Sequence, residues 1–339
     1  MHIQHYQNLM QSDRKNILVT GGLGYIGSHT VVNLIELGYT PIIIDNQSNS
    51  NVDVLDKIEK ITGVRPEYIF SDVRDPVVLS KVFRAHKIYA VIHFAAYKSV
   101  PESTREPLKY YDNNLNSTIQ LLKLMKEHGV KNIVFSSSCT VYGQPESYPV
   151  DELTPIQPAE SPYGETKRMC EQMLEKSKND FNVVILRYFN PIGVHESGIL
   201  HESPKGVPDG LMPYITGVIN GEYPFLRIFG DDYNTKDGTA VRDYIDVNDL
   251  AAVHVKSLDI IDRIGFDVFN VGSGSGYTVM EVVESFKNNG TDVAFKIFPR
   301  RDGDIEKIYG DISKAGRILK WTPERTLDDS VKSILNTKS

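Results

Sequence analysis

Apolar residues along this chain gather into short, nearly continuous runs, and the stretches between them carry helical periodicity. The first run, Ile17 and Leu18, enters a glycine-rich turn, and the second is Pro41-Ile42-Ile43-Ile44-Asp45. Five more follow at Glu67–Phe70, Ala90–Phe94, Asn132–Phe135, Val183–Arg187 and Asp267–Val271. Runs without polar alternation are what parallel strands show when both faces are covered. Between them, Val31, Leu34, Ile35 and Leu37 recur at helical spacing before Gly38, and Thr118–Lys126 and Thr166–Lys176 read the same way. Strands alternating with helices predict an α/β fold, a Rossmann-type doubly wound parallel sheet. Ligands of such sheets sit beyond the carboxyl ends of the strands.

From Asn190 to about Asp243 glycine and proline become dense and the periodicity breaks up, the texture of a substrate cap hung on a rigid sheet. The run at 267–271 reads as a strand able to rejoin the first sheet. The expected division is a polar, disordered extension over 1–13, a dinucleotide-binding domain over 14–185, and a smaller substrate-binding region over 186–339, partly interleaved with the first. The 339 residues are long for one core, and 40% hydrophobic with 24% charged residues is ordinary for a soluble protein. A net charge of −7 argues against a nucleic-acid or anionic-membrane partner. Two cysteines, Cys139 and Cys170, make neither a metal-ligand spacing nor a disulfide framework, so a reducing, cytoplasmic location is expected. No run approaches a membrane span, and 1–13 lacks the apolar stretch of a signal peptide.

The chemistry begins at Val19-Thr20-Gly21-Gly22-Leu23-Gly24-Tyr25-Ile26-Gly27, a strand, a glycine turn and a helix start in succession. Gly21, Gly24 and Gly27 suit a tight turn, close backbone approach to a diphosphate, and tight packing of helix on strand. The helix points its free N–H groups and positive dipole end at the anion. Asp45, closing the next strand at the expected distance, accepts hydrogen bonds from an adenosine ribose and repels a 2′-phosphate, which favours NAD over NADP.

Tyr163 and Lys167 lie one helical turn apart on one face, and of 18 tyrosines only Tyr163 has a lysine four residues on. The ammonium is expected to favour the phenolate and lower the tyrosine pKa, making it a base near neutral pH. Ser161-Pro162 before the pair suits a helix start. Ser136, Ser137 and Ser138, at the end of a strand run, offer hydroxyls able to orient a substrate alcohol toward Tyr163.

Together with Phe94-Ala95-Ala96, Lys98, Asp112-Asn113-Asn114, Arg187-Tyr188-Phe189-Asn190-Pro191 and Arg242-Asp243-Tyr244-Ile245, these motifs stand in a fixed order. Over essentially residues 15–330 the chain resembles the UDP-glucose 4-epimerases, a family of extended short-chain dehydrogenase/reductases. The resemblance implies interconversion of UDP-glucose and UDP-galactose on tightly held NAD through a 4-keto sugar, in galactose metabolism. Tyr163 would take the 4-hydroxyl proton, Lys167 would tune it and hold the nicotinamide ribose, and Ser138 would share the proton path. Tyr25, Ile26, Asn46, Asp72, Val73, Phe94, Ala95, Lys98, Asn113, Tyr188 and Phe189 match further cofactor contacts. Asn190, Leu211, Phe229, Arg242, Arg301 and Asp304 match contacts to the nucleotide sugar, and two arginines on the cap suit a diphosphate. Relatives pair two helices into a two-fold interface. The matching segments 112–126 and 163–178 carry Leu121, Leu122, Met125, Met169, Met173 and Leu174, which predicts a homodimer.

Four departures from the family pattern bear on the sugar. Gly210 stands for an asparagine, Cys139 for an alanine-like residue and Asp246 for a histidine. Ile308 occupies the position thought to control N-acetyl sugars, so weak action on UDP-N-acetylglucosamine is expected. His195-Glu196-Ser197 and His201-Glu202-Ser203 look like a metal pair but lack a third ligand, and they are assigned to solvent with no metal. The rival enzymes on this frame are nucleotide-sugar 4,6-dehydratases, decarboxylases or a 4-epimerase of another sugar; the first two carry an acid where this chain has Ser138-Cys139-Thr140. A non-enzymatic NAD sensor is the remaining alternative, against which the retention of Tyr163, Lys167 and Ser138 speaks.

Overall fold

The apolar runs pair side by side in a computed structural model of the chain, which describes residues 14–206, 208–301 and 304–337. The expected extension at 1–13 lies outside the described residues. In chain order the strands are β1 (Asn16–Thr20), β2 (Thr40–Asp45), β3 (Glu67–Phe70), β4 (Ile88–His93), β5 (Asn132–Ser138), β6 (Asn182–Tyr188) and β7 (Asn190–Ile192). Then come β8 (Leu226–Phe229), β9 (Val241–Arg242), β10 (Tyr244–Asp246), β11 (Phe266–Val271), β12 (Tyr277–Thr278), β13 (Phe295–Phe298) and β14 (Lys307–Ile308). Of the helices, α1 (Tyr25–Glu36), α2 (Asn116–Glu127), α3 (Pro162–Lys176), α4 (Leu211–Ile219) and α5 (Val247–Lys256) carry the argument.

The main sheet runs β11-β6-β5-β4-β1-β2-β3 with every pair parallel, so the expected Rossmann-type fold is what the chain adopts. Strand order reverses at β1, which opens a crevice beyond the carboxyl ends of β1 and β4. Side chains of a strand alternate between faces, and here both faces are covered. Ile17 and Val19 pack with Val31, Leu34 and Val253 on one side; Leu18 packs with Val91, Leu121, Met125 and Leu174 on the other. That double burial is why the runs carry little polar alternation.

One inference from the sequence needs correcting. Leu121, Leu122, Met125 and Leu174 are not surplus apolar surface, because all four are buried in this chain's own second core; only Met169 and Met173 stay half-buried. The helices bury those faces against the sheet instead of presenting them to a partner.

Three small sheets form the cap: β7 with β10, β9 between β12 and β14, and β8 with β13. They enclose a third apolar cluster around Ile215, Ile228 and Phe286. The strand at Phe266–Val271 ties this region to the main sheet. Asn270 on it accepts a hydrogen bond from Tyr142 Oη at 2.6 Å and donates to the Val150 carbonyl at 2.9 Å. Among the described residues no helix is long and apolar enough to cross a membrane.

Candidate active site

β1 ends in a turn that only glycine fits. Gly21 has φ +70°, and its N–H donates to the Ile44 carbonyl at 2.8 Å. A Cβ at Gly21 would lie 2.9 Å from the Ala95 nitrogen, and one at Gly27 only 2.3 Å from the Gly21 carbonyl oxygen. Helix and strand loop therefore touch backbone to backbone. α1 starts after Gly24 with no side-chain cap and no acid in its first turn, leaving its N–H groups for an outside anion. Asp45, buried at the end of β2, accepts from Leu23 N at 3.1 Å and from Ser50 Oγ at 2.7 Å. A glycine cradle, an uncapped helix start and a buried carboxylate 18 residues beyond Gly27 are the donor and acceptor set that a dinucleotide requires.

These residues line a cleft of about 210 Å³. Gly21, Gly24, Tyr25, Ile26, Asp45, Asn46, Asp72, Val73, Phe94, Ala95, Lys98, Asn113, Tyr163, Lys167 and Tyr188 all face it. Asn46 donates to Asp72 at 3.1 Å, and the Arg74 guanidinium beside Asp72 holds that carboxyl below its usual range. Asn113 sits in a single π-turn, Tyr111–Leu115, of the kind that recurs at functional sites. Phe189 is not on the cleft: its ring is buried in a fourth cluster with Cys139, Val141 and Ile308. The histidine loop is a further correction. His195 is buried, and His201, Glu202, Ser203 and Pro204 form one wall of the cleft, so they do not belong to bulk solvent. No local pattern in the sequence marks this wall.

α3 carries the two residues expected to be reactive, Tyr163 and Lys167. Ser161 Oγ caps its start by accepting from Gly164 N at 3.2 Å, and Pro162 takes the first helical position. Tyr163, Lys167 and Glu171 then fall on one inward face, four residues apart. Lys167 Nζ donates to the Ser136 carbonyl at 2.7 Å, and Ser137 Oγ donates to Glu171 at 2.5 Å. Arg187, next to Ser137 across the β5–β6 register, grips Glu171 through Nε at 3.0 Å and Nη2 at 2.6 Å, both side chains buried. Sequence reasoning missed Glu171, although its place one turn beyond Lys167 was a usable signal.

The pKa expectation for Tyr163 reverses. Burial pushes the phenol well above its usual value and the Tyr188 hydroxyl adds to this; a hydrogen bond with Ser138 pulls the other way. Burial also brings the Lys167 ammonium down to about 8, against the opposing influence of Cys170 and Glu171. In the dry end of the cleft, desolvation outweighs the charge interaction assumed from spacing. The Cys139 thiol behind Ser138 is driven up to about 12, again by burial.

The residues expected to contact the nucleotide sugar lie in the cap, outside the lining of this cleft. Arg242 Nη1 donates to the Val241 carbonyl at 2.8 Å, and among the described residues its contacts are to backbone carbonyls and not to a carboxylate. Arg301 forks onto Asp304 at 2.8 and 3.2 Å while its guanidinium lies 4.5 Å above the Phe229 ring. Asn190 is exposed at the start of β7, and Leu211 opens α4 directly after Gly210. Ile308, next to Arg242 in the β14–β9 register, is buried with Cys139. Asp243 organises this side by accepting from Ser273 N at 2.6 Å, Ser273 Oγ at 2.7 Å and Gly274 N at 3.2 Å. Asp246 serves as the cap of α5 and accepts from Ser330 Oγ at 2.7 Å.

A dinucleotide cleft at the switch point of a parallel sheet, with Tyr163 and Lys167 at its inner end, defines the short-chain dehydrogenase/reductase class. The family model described as GDP-mannose 4,6 dehydratase matches residues 18–334. A UDP-glucose 4-epimerase of Erwinia amylovora is 47% identical over 96% of this chain and 98% of its own length. One from Bacillus subtilis (strain 168) is 48% identical over 92% of this chain and 94% of its own. The crystal structure of the Bifidobacterium longum UDP-glucose 4-epimerase, in complex with NAD+ and UDP, superposes with a TM-score of 0.92 at 48% identity, covering 95% of this chain and 97% of that one. The chain belongs to the UDP-glucose 4-epimerase family.

Burial of Lys167 has a measurable signature. Its folded pKa is depressed from 10.5 to about 8, so between those values the unfolded chain binds the proton and the folded chain does not. Stability contributed by this site therefore rises with pH across that window and is lowest below it. Relative to Lys167→Met, wild type should gain up to about 3 kcal/mol between pH 8 and 10.5 in denaturant titrations. A stability difference that does not change across that range would show that the ammonium is not desolvated.

Proposed function

We propose that this protein interconverts UDP-glucose and UDP-galactose through a 4-keto sugar, on NAD held in the cleft. The observation that carries the reading is the pair Tyr163 and Lys167 at the inner end of a dinucleotide cleft, with Ser138 buried at the end of β5 and followed by Cys139 and Thr140 where a dehydratase needs a second acid. A buried thiol raised to about 12 stays protonated at neutral pH, so it offers no base for the elimination of water. Bound in the cleft, NAD takes up and returns the hydride of the sugar C4, and its cationic ring offsets the burial that disfavours the Tyr163 phenolate. Tyr163 Oη removes the 4-hydroxyl proton and later gives it back to the 4-keto sugar. Ser138 Oγ, which accepts from Thr140 Oγ1 at 3.0 Å, orients the hydroxyl. Lys167 Nζ, fixed on the Ser136 carbonyl, holds a positive charge beneath both. On the cap, the guanidinium of Arg242, paired with no carboxylate among the described residues, is the group best placed to hold a diphosphate, with Arg301 released to it from Asp304.

The homodimer is part of this proposal. Leu108 is 80% exposed on the short helix Pro107–Tyr110, which packs on α3, and Met169 and Met173 of α3 are only half-buried. That apolar surface suits a two-fold contact. Weak action on N-acetyl sugars is also proposed: Ile308 packs against Cys139 immediately behind Ser138, and Gly210 leaves its position without a side chain.

The purified protein should convert UDP-galactose to UDP-glucose, and Tyr163→Phe should lower turnover by ~10²–10⁴-fold while leaving UDP-sugar binding near wild type by calorimetry. Turnover close to wild type in that variant would remove Tyr163 as the base. Light scattering at micromolar concentration should give the mass of two chains, and a monomer mass would refute the dimer. UDP-N-acetylglucosamine should turn over slowly, and Ile308→Tyr should abolish that side activity. Absence of the side activity in wild type would mean that Ile308 closes the pocket.

A further inference from the structure

The loop whose histidines the sequence assigned to solvent crosses the mouth of the cleft and is fastened on both sides. Glu202 Oε1 accepts from Lys98 Nζ at 2.8 Å, tying it to the loop after β4. Three residues on, Lys205 Nζ donates to the Gln47 carbonyl at 2.7 Å and its backbone N–H to Asn49 Oδ1 at 3.2 Å, tying it to the loop after β2. Asp209 accepts from Ser99 Oγ and adds a fourth fastening. Gln47 is built for this contact. Its φ of +56°, unusual for a side-chain-bearing residue, turns its N–H onto Asp45 at 2.8 Å and leaves its carbonyl facing Lys205.

We infer that His201–Lys205 is a strap belonging to the dinucleotide site: it bridges the two loops on either side of the strand-order reversal and keeps NAD from leaving between half-reactions. The inference rests on the proposed function and deepens it. An enzyme that returns a hydride to the same sugar must keep the reduced cofactor until the second transfer. A cleft bounded only by the glycine turn and the strand ends would lie open along the side that the strap covers. Escape through that side requires the Lys98–Glu202 pair and both Lys205 bonds to break together. These ties join side chains to partners far off in sequence, so their loss frees the strap without removing a core contact; Lys205 itself is exposed.

The test is cofactor exchange, read apart from catalysis. Wild type, denatured after purification, should release stoichiometric nicotinamide cofactor, identified by chromatography. Dialysed against cofactor-free buffer, Lys205→Ala and Glu202→Gln should each lose it about tenfold faster than wild type, the consequence of one lost charge-assisted hydrogen bond. Their epimerase activity should come to depend on added NAD. Glu196→Gln, on the same loop but off the cleft, should exchange at the wild-type rate. Exchange in Lys205→Ala and Glu202→Gln as slow as in wild type would overturn the strap and leave the proposed function standing. Wild type that folds but carries no nicotinamide cofactor would overturn the proposed function itself.

Discussion

The constraint on which the rest of this structure depends is the contact of two backbones at the end of β1. A carbonyl oxygen where a Cβ of Gly27 would sit, and a peptide nitrogen within 3 Å of a Cβ at Gly21, leave no room for any side chain. This contact lets α1 start directly over the strand-order reversal, where its uncapped N–H groups face the cleft. Asp45 completes the arrangement from the neighbouring strand, and its carboxylate also accepts from Leu23 of the glycine turn. The glycine turn and the carboxylate that closes β2 are thus one hydrogen-bonded unit.

The reactive end is built on a different principle. Along α3 a phenol, an ammonium and a carboxylate are buried in sequence against the ends of β5 and β6. Burial disfavours the charged forms of Tyr163 and Lys167, a cost to stability that an inert apolar face would not carry. The Glu171–Arg187 pair has the geometry that lets charge survive inside: two forked bonds, a third from Ser137, and the Tyr142 ring 4.9 Å from the guanidinium. It locks the register of α3 on the sheet, so the groups one and two turns before it meet the cleft at fixed depth.

Dehydratase and epimerase share this frame, and the family model that matches the chain bears a dehydratase's description while its relatives at 47–48% identity are epimerases. The difference is local chemistry. After Ser138 the chain places a buried thiol that stays protonated at neutral pH, where the proposed reading needs no second acid. The cap presents Arg242 without a carboxylate partner among the described residues, beside an Arg301 already engaged with Asp304.

What the sequence determined by itself was whatever rests on local rules. The seven strands of the main sheet follow from apolar runs, the turn at Gly21 from a positive φ, and the start of α3 from a serine cap and a proline, each fixed by neighbours within a few residues. The tyrosine–lysine pair was legible for the same reason, since helical spacing alone puts it on one face. Tertiary structure decided the rest. The direction of the Tyr163 pKa depends on how much water the fold removes, which spacing cannot report. Phe189 follows Tyr188 in the chain, yet its ring is buried away from the cleft, because the strand changes sheets between them. Arg187 finds Glu171, and Lys205 finds Gln47, across separations of 16 and 158 residues. A bond of that span has no local pattern to announce it; it exists only once the sheet has brought the two loops to one edge of the cleft.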